Sequence, residues 1–290
     1  ISRISGIGWG LGYTAGIVCL GLCLTILVLP DKPLFGLLST DQAQNVRATG
    51  IIVGTWYLLF AIPLLRVSFT SHNTSNVSFK TVIQMSYKQC ISAFEKSKNT
   101  PYIYYYLIIR MIYTDGINTL FAFAGIYAAS RFNMGFEDIM YFGIACNISA
   151  GIGCFISSWS DSIIGEQRTL QISLVCLSAV TSLLLLVDEL HIFWVLALTA
   201  TLFVGPLQSS SRSLMAKICP EESKGEYFGL YALSGRVTSF LGPMLLTYAT
   251  QAFSSQTIGM ATIILFLVIG AIGMIFLRIP QHLIMPTTSE

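Results

Sequence analysis

Charge is what this sequence has least of. Lys, Arg, Asp and Glu make up 10% of its 290 residues, while 54% are hydrophobic. A soluble globular chain carries about 25% charged residues, so this supply cannot cover a water-facing surface. The net charge of +2 comes without clustered Lys/Arg on a polar face, which excludes a nucleic-acid partner. Histidine is scarcer still: His72, His191 and His282 are the only three, and they fall in loops or a tail. With no H-E-x-x-H, no G-x-S-x-G and no carboxylate pair inside an apolar run, the chain does not read as an enzyme. Seven cysteines (Cys19, Cys23, Cys90, Cys146, Cys154, Cys176 and Cys219) form no C-x-x-C pair and are odd in number. They read as small buried hydrophobes, and no metal or cofactor is implied. No charged n-region precedes the first apolar run, so that run is not a recognisable signal peptide.

What the sequence has in abundance is long apolar runs. A hydrocarbon core of about 30 Å needs roughly 20 apolar helical residues. Eight such runs are expected to span, at about 7–29, 49–66, 102–129, 138–158, 169–187, 191–211, 227–249 and 257–278. The chain is thus an all-α multi-pass membrane protein with a bilayer as its first partner. Alternating sides from a cytoplasmic N-terminus puts Arg3, Arg66, Lys80, Lys88, Lys96, Lys98, Arg168, Arg212, Lys217, Lys224 and Arg278 on the inside. Lys32, Arg47 and Arg131 fall on the other side, and eleven against three is a strong positive-inside bias. Both ends of the chain are therefore expected in the cytoplasm. The long connection, residues 67–101, starts polar and continues as SFKTVIQMSYKQCISAFEKSK over 78–98. Its apolar stripe reads either as an amphipathic helix on the membrane surface or as a solvated linker helix.

An internal repeat links the first and seventh runs. ISRISGIGWGLGY and KGEYFGLYALSGR align so that Gly6 meets Gly229 and Gly12 meets Gly235. Both enter an outward-going span from a cytoplasmic loop. Three stretches, ISRISGIGWGLGYTAG, LIIRMIYTDGINTLFAF and GPLQSSSRSLMAKICPEESKGEYFGLYALSGRVTSFLGP, resemble a major-facilitator subfamily. It is the one that includes vacuolar amino-acid effluxers linked to autophagy and many bacterial permeases. The resemblance covers essentially the whole chain. It implies a twelve-helix fold made of two six-helix halves, of which the repeat identifies the eight spans as helices five to twelve, with helices one to four not represented. Residues 1–66 are then the last two helices of the N-terminal half, 67–101 the central cytoplasmic loop, 102–279 the six-helix C-terminal half and 280–290 a cytoplasmic tail.

The implied function is secondary active transport of a small solute by alternating access, with amino-acid efflux and proton coupling as the finer expectation. The membrane would be a bacterial cytoplasmic membrane or a vacuolar-type membrane. A truncated, non-transporting membrane protein or partner subunit is the alternative. The sequence is silent on oligomeric state.

Ionisable groups at membrane depth are costly and mark function by default. Arg110 and Asp115 lie in the third run and Arg236 in the seventh. At a rise of 1.5 Å per residue Asp115 sits roughly 20 Å from the cytoplasmic end, near the midplane. Asp115 is the candidate for proton coupling or a substrate amine, and Arg110 or Arg236 for a substrate carboxylate. An Asp115–Arg236 pair, functional or merely structural, is geometrically reasonable. Asn118, Tyr113, Gln208 and Asn147 are further polar candidates. The loop SSWSDSIIGEQRTL resembles a degenerate copy of the family's G-x-x-x-D-R-x-G-R-R cytoplasmic motif, with Asp161, Gly165 and Arg168 matching in kind. The resemblance implies a cytoplasmic gate there. Asp161 would cap the first span near Gly6, with Arg212 as its ion-pair partner. Pro63, Pro206 and Pro243 are candidate kinks, and Gly205-Pro206 a candidate hinge.

Overall fold

The computed structural model describes residues 2–30, 34, 37, 43–66, 78, 81, 84–85, 91–92, 94–96, 98, 100–280 and 283. Every regular element among them is helical. Helix α1 (Ser2–Cys23) runs on into a π-helical turn over Leu24–Val28, and α2 (Gln44–Arg66) follows. Then come α3 (Pro101–Phe132), α4 (Phe136–Ile164), α5 (Glu166–Leu184) and α6 (Leu190–Ile218). A short α7 (Lys224–Ser234) is separated from α8 (Leu241–Phe253) by the turn residues 235–240, and α9 (Gln256–Phe276) closes the fold.

Six segments among the described residues are long and apolar enough to cross a membrane: Arg3–Val28, Gln44–Arg66, Pro101–Phe132, Phe136–Ile164, Leu190–Ile218 and Gln256–Phe276. The other two expected spans coincide with helices that fall short for physical reasons. On α5, Gln167, Arg168 and Gln171 lower the hydropathy most, with Thr169, Ser173, Ser178 and Thr181 adding to it, and these four hydroxyl residues are buried. The seventh run is not one helix but the pair α7–α8. The surface helix expected over 78–98 lies for most of its length outside the described residues, as do Lys32, Lys80, Lys88, His72, His282 and most of the tail.

Lipid tails are as apolar as leucine, so helices here associate through close packing and buried hydrogen bonds rather than through water exclusion. Three helices, α1, α4 and α6, meet along small residues. Ser5 Oγ donates to the Ser209 carbonyl at 3.0 Å, and the Ser157 and Ser209 hydroxyls lie 2.6 Å apart. A Cβ placed on Gly205 would land on the Ala150 carbonyl and the Cys154 amide, so α4 and α6 touch backbone to backbone. Gly205-Pro206, the candidate hinge, thus sits at a close backbone contact between α4 and α6. Elsewhere, α5 is tied to the C-terminus of α9 by two glutamines. Gln167 Nε2 donates to the Leu277 carbonyl at 2.7 Å, and Gln171 Nε2 to that of Met274 at 2.8 Å. These satisfy carbonyls that a helix end leaves without partners. The interlayer is filled by Leu170, Leu174 and Leu177 of α5 with Ile263, Leu267 and Met274 of α9, all fully buried. By contrast α2 shows an apolar surface nearly all round, with Tyr57, Leu58 and Leu65 among its exposed residues.

Candidate functional site

The interruption between α7 and α8 has local causes. Pro243 has no N–H, and its ring clashes with the carbonyl four residues back, at Ser239, so a helix cannot run through it. It sits in the first turn of α8, where no N–H is needed, and starts that helix rather than kinking one. Across the break the chain moves by tight turns: Arg236 N donates to the Leu233 carbonyl at 2.9 Å, and Leu241 N to that of Thr238 at 2.8 Å. The break leaves two helix ends inside an apolar segment, a carbonyl end on α7 and an amide end on α8. Each carries partial charge, negative and positive respectively.

Helix α3 answers both. Arg110 donates through Nη1 to the Tyr231 carbonyl at 2.7 Å and to Ser234 Oγ at 2.8 Å, and its guanidinium lies 3.5 Å from the centre of the Tyr231 ring. Asn118 Nδ2 adds a long contact to the Gly235 carbonyl at 3.4 Å. One and a half turns along α3, Asp115 accepts the Gly242 N–H on Oδ2 at 3.0 Å. A cation thus faces the negative end of α7 and an anion the positive end of α8. The fit is close. A Cβ on Gly235 would press on the Arg110 guanidinium, and one on Gly242 would collide with Thr119 Oγ1. Thr119 Oγ1 is itself anchored to the Asp115 carbonyl at 2.8 Å. Asp115 is only 2% exposed, and its second oxygen, Oδ1, is buried without a hydrogen-bond partner among the described residues.

The expected Asp115–Arg236 pair is therefore not formed. Arg236 lies in the break itself and is exposed. The reason is that backbone dipoles, not another side chain, supply the opposite charge.

Beside Arg110 lies a buried hydroxyl cluster centred on Ser211 of α6. Tyr113 donates to Ser211 Oγ at 2.9 Å, Tyr106 to the Ser211 carbonyl at 2.7 Å, and the Tyr231 hydroxyl is 3.1 Å from Ser211 Oγ. Of these residues only Tyr113 was a candidate from sequence. Tyr106, Arg110 and Tyr113 follow an i, i+4, i+7 spacing on one face of α3, which is the signal that could have disclosed Tyr106. Gln208 stands one turn away on α6 with Oε1 buried and without a hydrogen-bond partner among the described residues. Asn147 is spent locally, Nδ2 donating to the Gly143 carbonyl of its own helix at 2.8 Å. It lines a separate cavity of about 280 Å³ with Tyr127, Phe142, Phe193 and Thr201.

At the other end of α4 the loop motif folds differently from expectation. Asp161 is buried and accepts the Ser210 hydroxyl at 2.8 Å. It does not reach the start of α1, because Gly6 packs directly on Ser158. Arg212 is exposed and makes no ion pair with it. The charge pair at this place is Lys217 with the buried Glu166, at 2.6 Å. Gly165 ends α4 at φ +83, a left-handed conformation that glycine adopts without strain, and its carbonyl accepts from Thr169. Arg168 is exposed.

An interrupted span clamped by charges, among apolar helices joined by small residues, suits a transporter fold, and comparison with known proteins bears on this directly. The chain matches the protein family described as "Vacuole effluxer Atg22 like" over residues 1–282. It belongs to that family. Among curated relatives, an uncharacterized MFS-type transporter of Bacillus subtilis, YxiO, is 21% identical over 95% of this chain and 63% of its own length. Autophagy-related protein 22-1 of Aspergillus fumigatus is 22% identical over 87% of this chain and 44% of its own length. The chain thus spans about half to two thirds of the length of these relatives. Two solved structures of the E. coli fucose:proton symporter FucP share the fold. One has TM-score 0.60 and 13% identity over 90% of this chain and 64% of that one. The other, an outward conformation, has TM-score 0.67 and 12% identity over 96% and 69%. The Atg22-like chain is accordingly an all-α membrane protein of major-facilitator fold, and its family is one of transporters, not enzymes.

Within the Atg22-like fold the structure brings Arg110, Asp115, Asn118 and Tyr113 together around the α7–α8 break. It leaves Asn147 in its own cavity; Asp161, bonded to Ser210, and Arg212 stand next to the Ser211 cluster on α6, while Gly165 and Arg168 lie at the α4–α5 junction.

Proposed function

We propose that this chain is the working part of a secondary active transporter that moves a small solute by alternating access, exporting amino acids with the proton as coupling ion. The single observation that carries the reading is the span interrupted inside the apolar zone, with Arg110 on one broken end and Asp115 on the other. Half-helix ends beside ionisable groups are how transporters of this architecture bind substrates and ions. The family description as an effluxer, and a proton symporter among proteins of the same fold, support direction and coupling. In this reading Asp115 takes up the proton, at the oxygen that has no other partner. Arg236, exposed in the break and without an ion pair among the described residues, holds a substrate carboxylate. Arg110, Asn118, Tyr113 and Gln208 shape the wall, with Asn147 further out. Asp161, Gly165, Arg168 and Arg212 belong to the cytoplasmic gate, where Glu166 and Lys217 join them. The spans then correspond to helices five to twelve of the twelve-helix fold, both ends of this chain facing the cytoplasm of a bacterial or vacuolar-type membrane.

The test is uptake of labelled amino acids into proteoliposomes containing the full-length protein under an imposed proton gradient. Asp115→Asn keeps an oxygen for the Gly242 N–H but cannot titrate. Gradient-driven flux should fall at least about tenfold, while solute exchange without a gradient continues. Unchanged gradient-driven flux would remove Asp115 from the coupling role, and no flux with any amino acid would remove the substrate class.

A further inference from the structure

We infer that the groove between the start of α3 and the end of α9 is a binding site for an anionic phospholipid, its phosphate held by Lys98 and Arg278. The groove has a volume of about 490 Å³ and is lined by Lys98, Tyr102, Tyr105, Phe276 and Arg278, among others. Both cations are exposed, and among the described residues neither is paired with a carboxylate. The Lys98 Nζ rests over the Phe94 ring at 4.9 Å, a cation–π contact that leaves its charge in place. No acidic residue lies in the first turn of α3. An arginine that can grip a phosphate through two N–H groups and a lysine acting as a point charge are complementary to a phosphodiester.

What makes the occupant a lipid rather than a soluble phosphate is the surface below the groove. Along α9, Leu265, Ile269, Ile272, Ile275 and Phe276 are exposed, the last two at 57% and 69%. This apolar stripe runs up to the groove and ends there, where Arg278 follows within two residues. An acyl chain can lie along the stripe while its headgroup meets the two cations. Tyr102 and Tyr105 sit at the depth where tyrosine belts mark a membrane–water interface. The eleven-to-three charge bias puts this end of the helices on the leaflet side whose lipids are anionic, where each nearby cation strengthens binding roughly fivefold.

Native mass spectrometry of the purified full-length protein, titrated with dioleoyl-phosphatidylglycerol or dioleoyl-phosphatidylcholine, tests the site. The phosphatidylglycerol adduct should be preferred. The double substitution Lys98→Gln/Arg278→Gln should weaken its binding roughly 25-fold, two fivefold steps, without changing that of phosphatidylcholine. Lys96→Gln, which removes a lysine paired with Glu226, should leave the preference intact. Inorganic phosphate at millimolar concentration should not displace the lipid. Retention of the preference in the double variant overturns the proposal. So does equal loss in Lys96→Gln, which would make it a general charge effect, or displacement by inorganic phosphate, which would make the ligand a soluble anion.

Discussion

Asp115→Leu should destabilise the protein by ~2–4 kcal/mol. A lost helix cap costs about 0.5–2 kcal/mol in water. Here the orphaned Gly242 amide is buried in a membrane-embedded bundle, where an unsatisfied backbone group costs several kcal/mol. The leucine fills the volume, so the loss reports the hydrogen bond and the charge rather than a cavity. Asp115→Asn retains an acceptor for Gly242 N and should melt much closer to the parent. Thermal unfolding in detergent separates the two variants. A leucine variant as stable as the asparagine variant would mean that the carboxylate does not hold α8.

Gly205→Val should have a comparable effect by a different route. The new Cβ would overlap the Ala150 carbonyl and lie within 2.9 Å of the Gly153 carbonyl carbon, and these are backbone atoms that cannot swing aside. Helices α4 and α6 must then separate, which also strains the Ser5–Ser209 and Ser157–Ser209 contacts that hold α1. Overpacking of this kind costs ~1–3 kcal/mol and occasionally more. The expected result is a sharp drop in monodisperse protein on size exclusion. Gly143→Ala is the control: nothing lies within 4 Å of its added Cβ, and it should be neutral or better, since alanine is favoured over glycine in a helix by about 1 kcal/mol. Equal yields of the two variants would show that α4 and α6 are not in backbone contact.

Six of the eight expected spans were legible because long apolar runs need no partner to be recognised. Arg110 and Asp115 stood out for the same reason, as charges where charge is scarce. Their partners did not. Reading side chains alone suggests matching Asp115 with another side chain, Arg236, whereas the opposite charge comes from helix ends that exist only because the seventh span is broken. Gly235 and Pro243 carry that signal, but a run of this hydropathy reads as one continuous helix. The repeat sharpens the point. Gly12 and Gly235 align in sequence, yet α1 continues unbroken through Gly12, where an added Cβ meets nothing, while Gly235 opens the break against Arg110. Proline and an arginine in the neighbouring helix, not glycine, make the difference. Near the SSWSDSIIGEQRTL motif, Arg212 and Lys217 are both available on α6. Five residues place them about 140° apart around the helix, and only Lys217 faces α5 and the buried Glu166. Which of two cations points inward depends on helix rotation, and that is set by packing rather than by sequence spacing.

Charges on α3 hold the chain open between α7 and α8. Amide hydrogen exchange over peptides covering residues 235–245, compared between the parent protein and the single variants Arg110→Leu and Asp115→Leu, tests it most directly. Arg110→Leu should speed exchange there by about tenfold, as loss of a cap worth ~1.4 kcal/mol requires, and Asp115→Leu by at least about thirtyfold, as a loss of ~2 kcal/mol or more requires, while peptides from α5 and α9 stay unchanged. Unaltered exchange at 235–245 in both variants, with the rest of the protein folded, would mean that Arg110 and Asp115 do not hold the break.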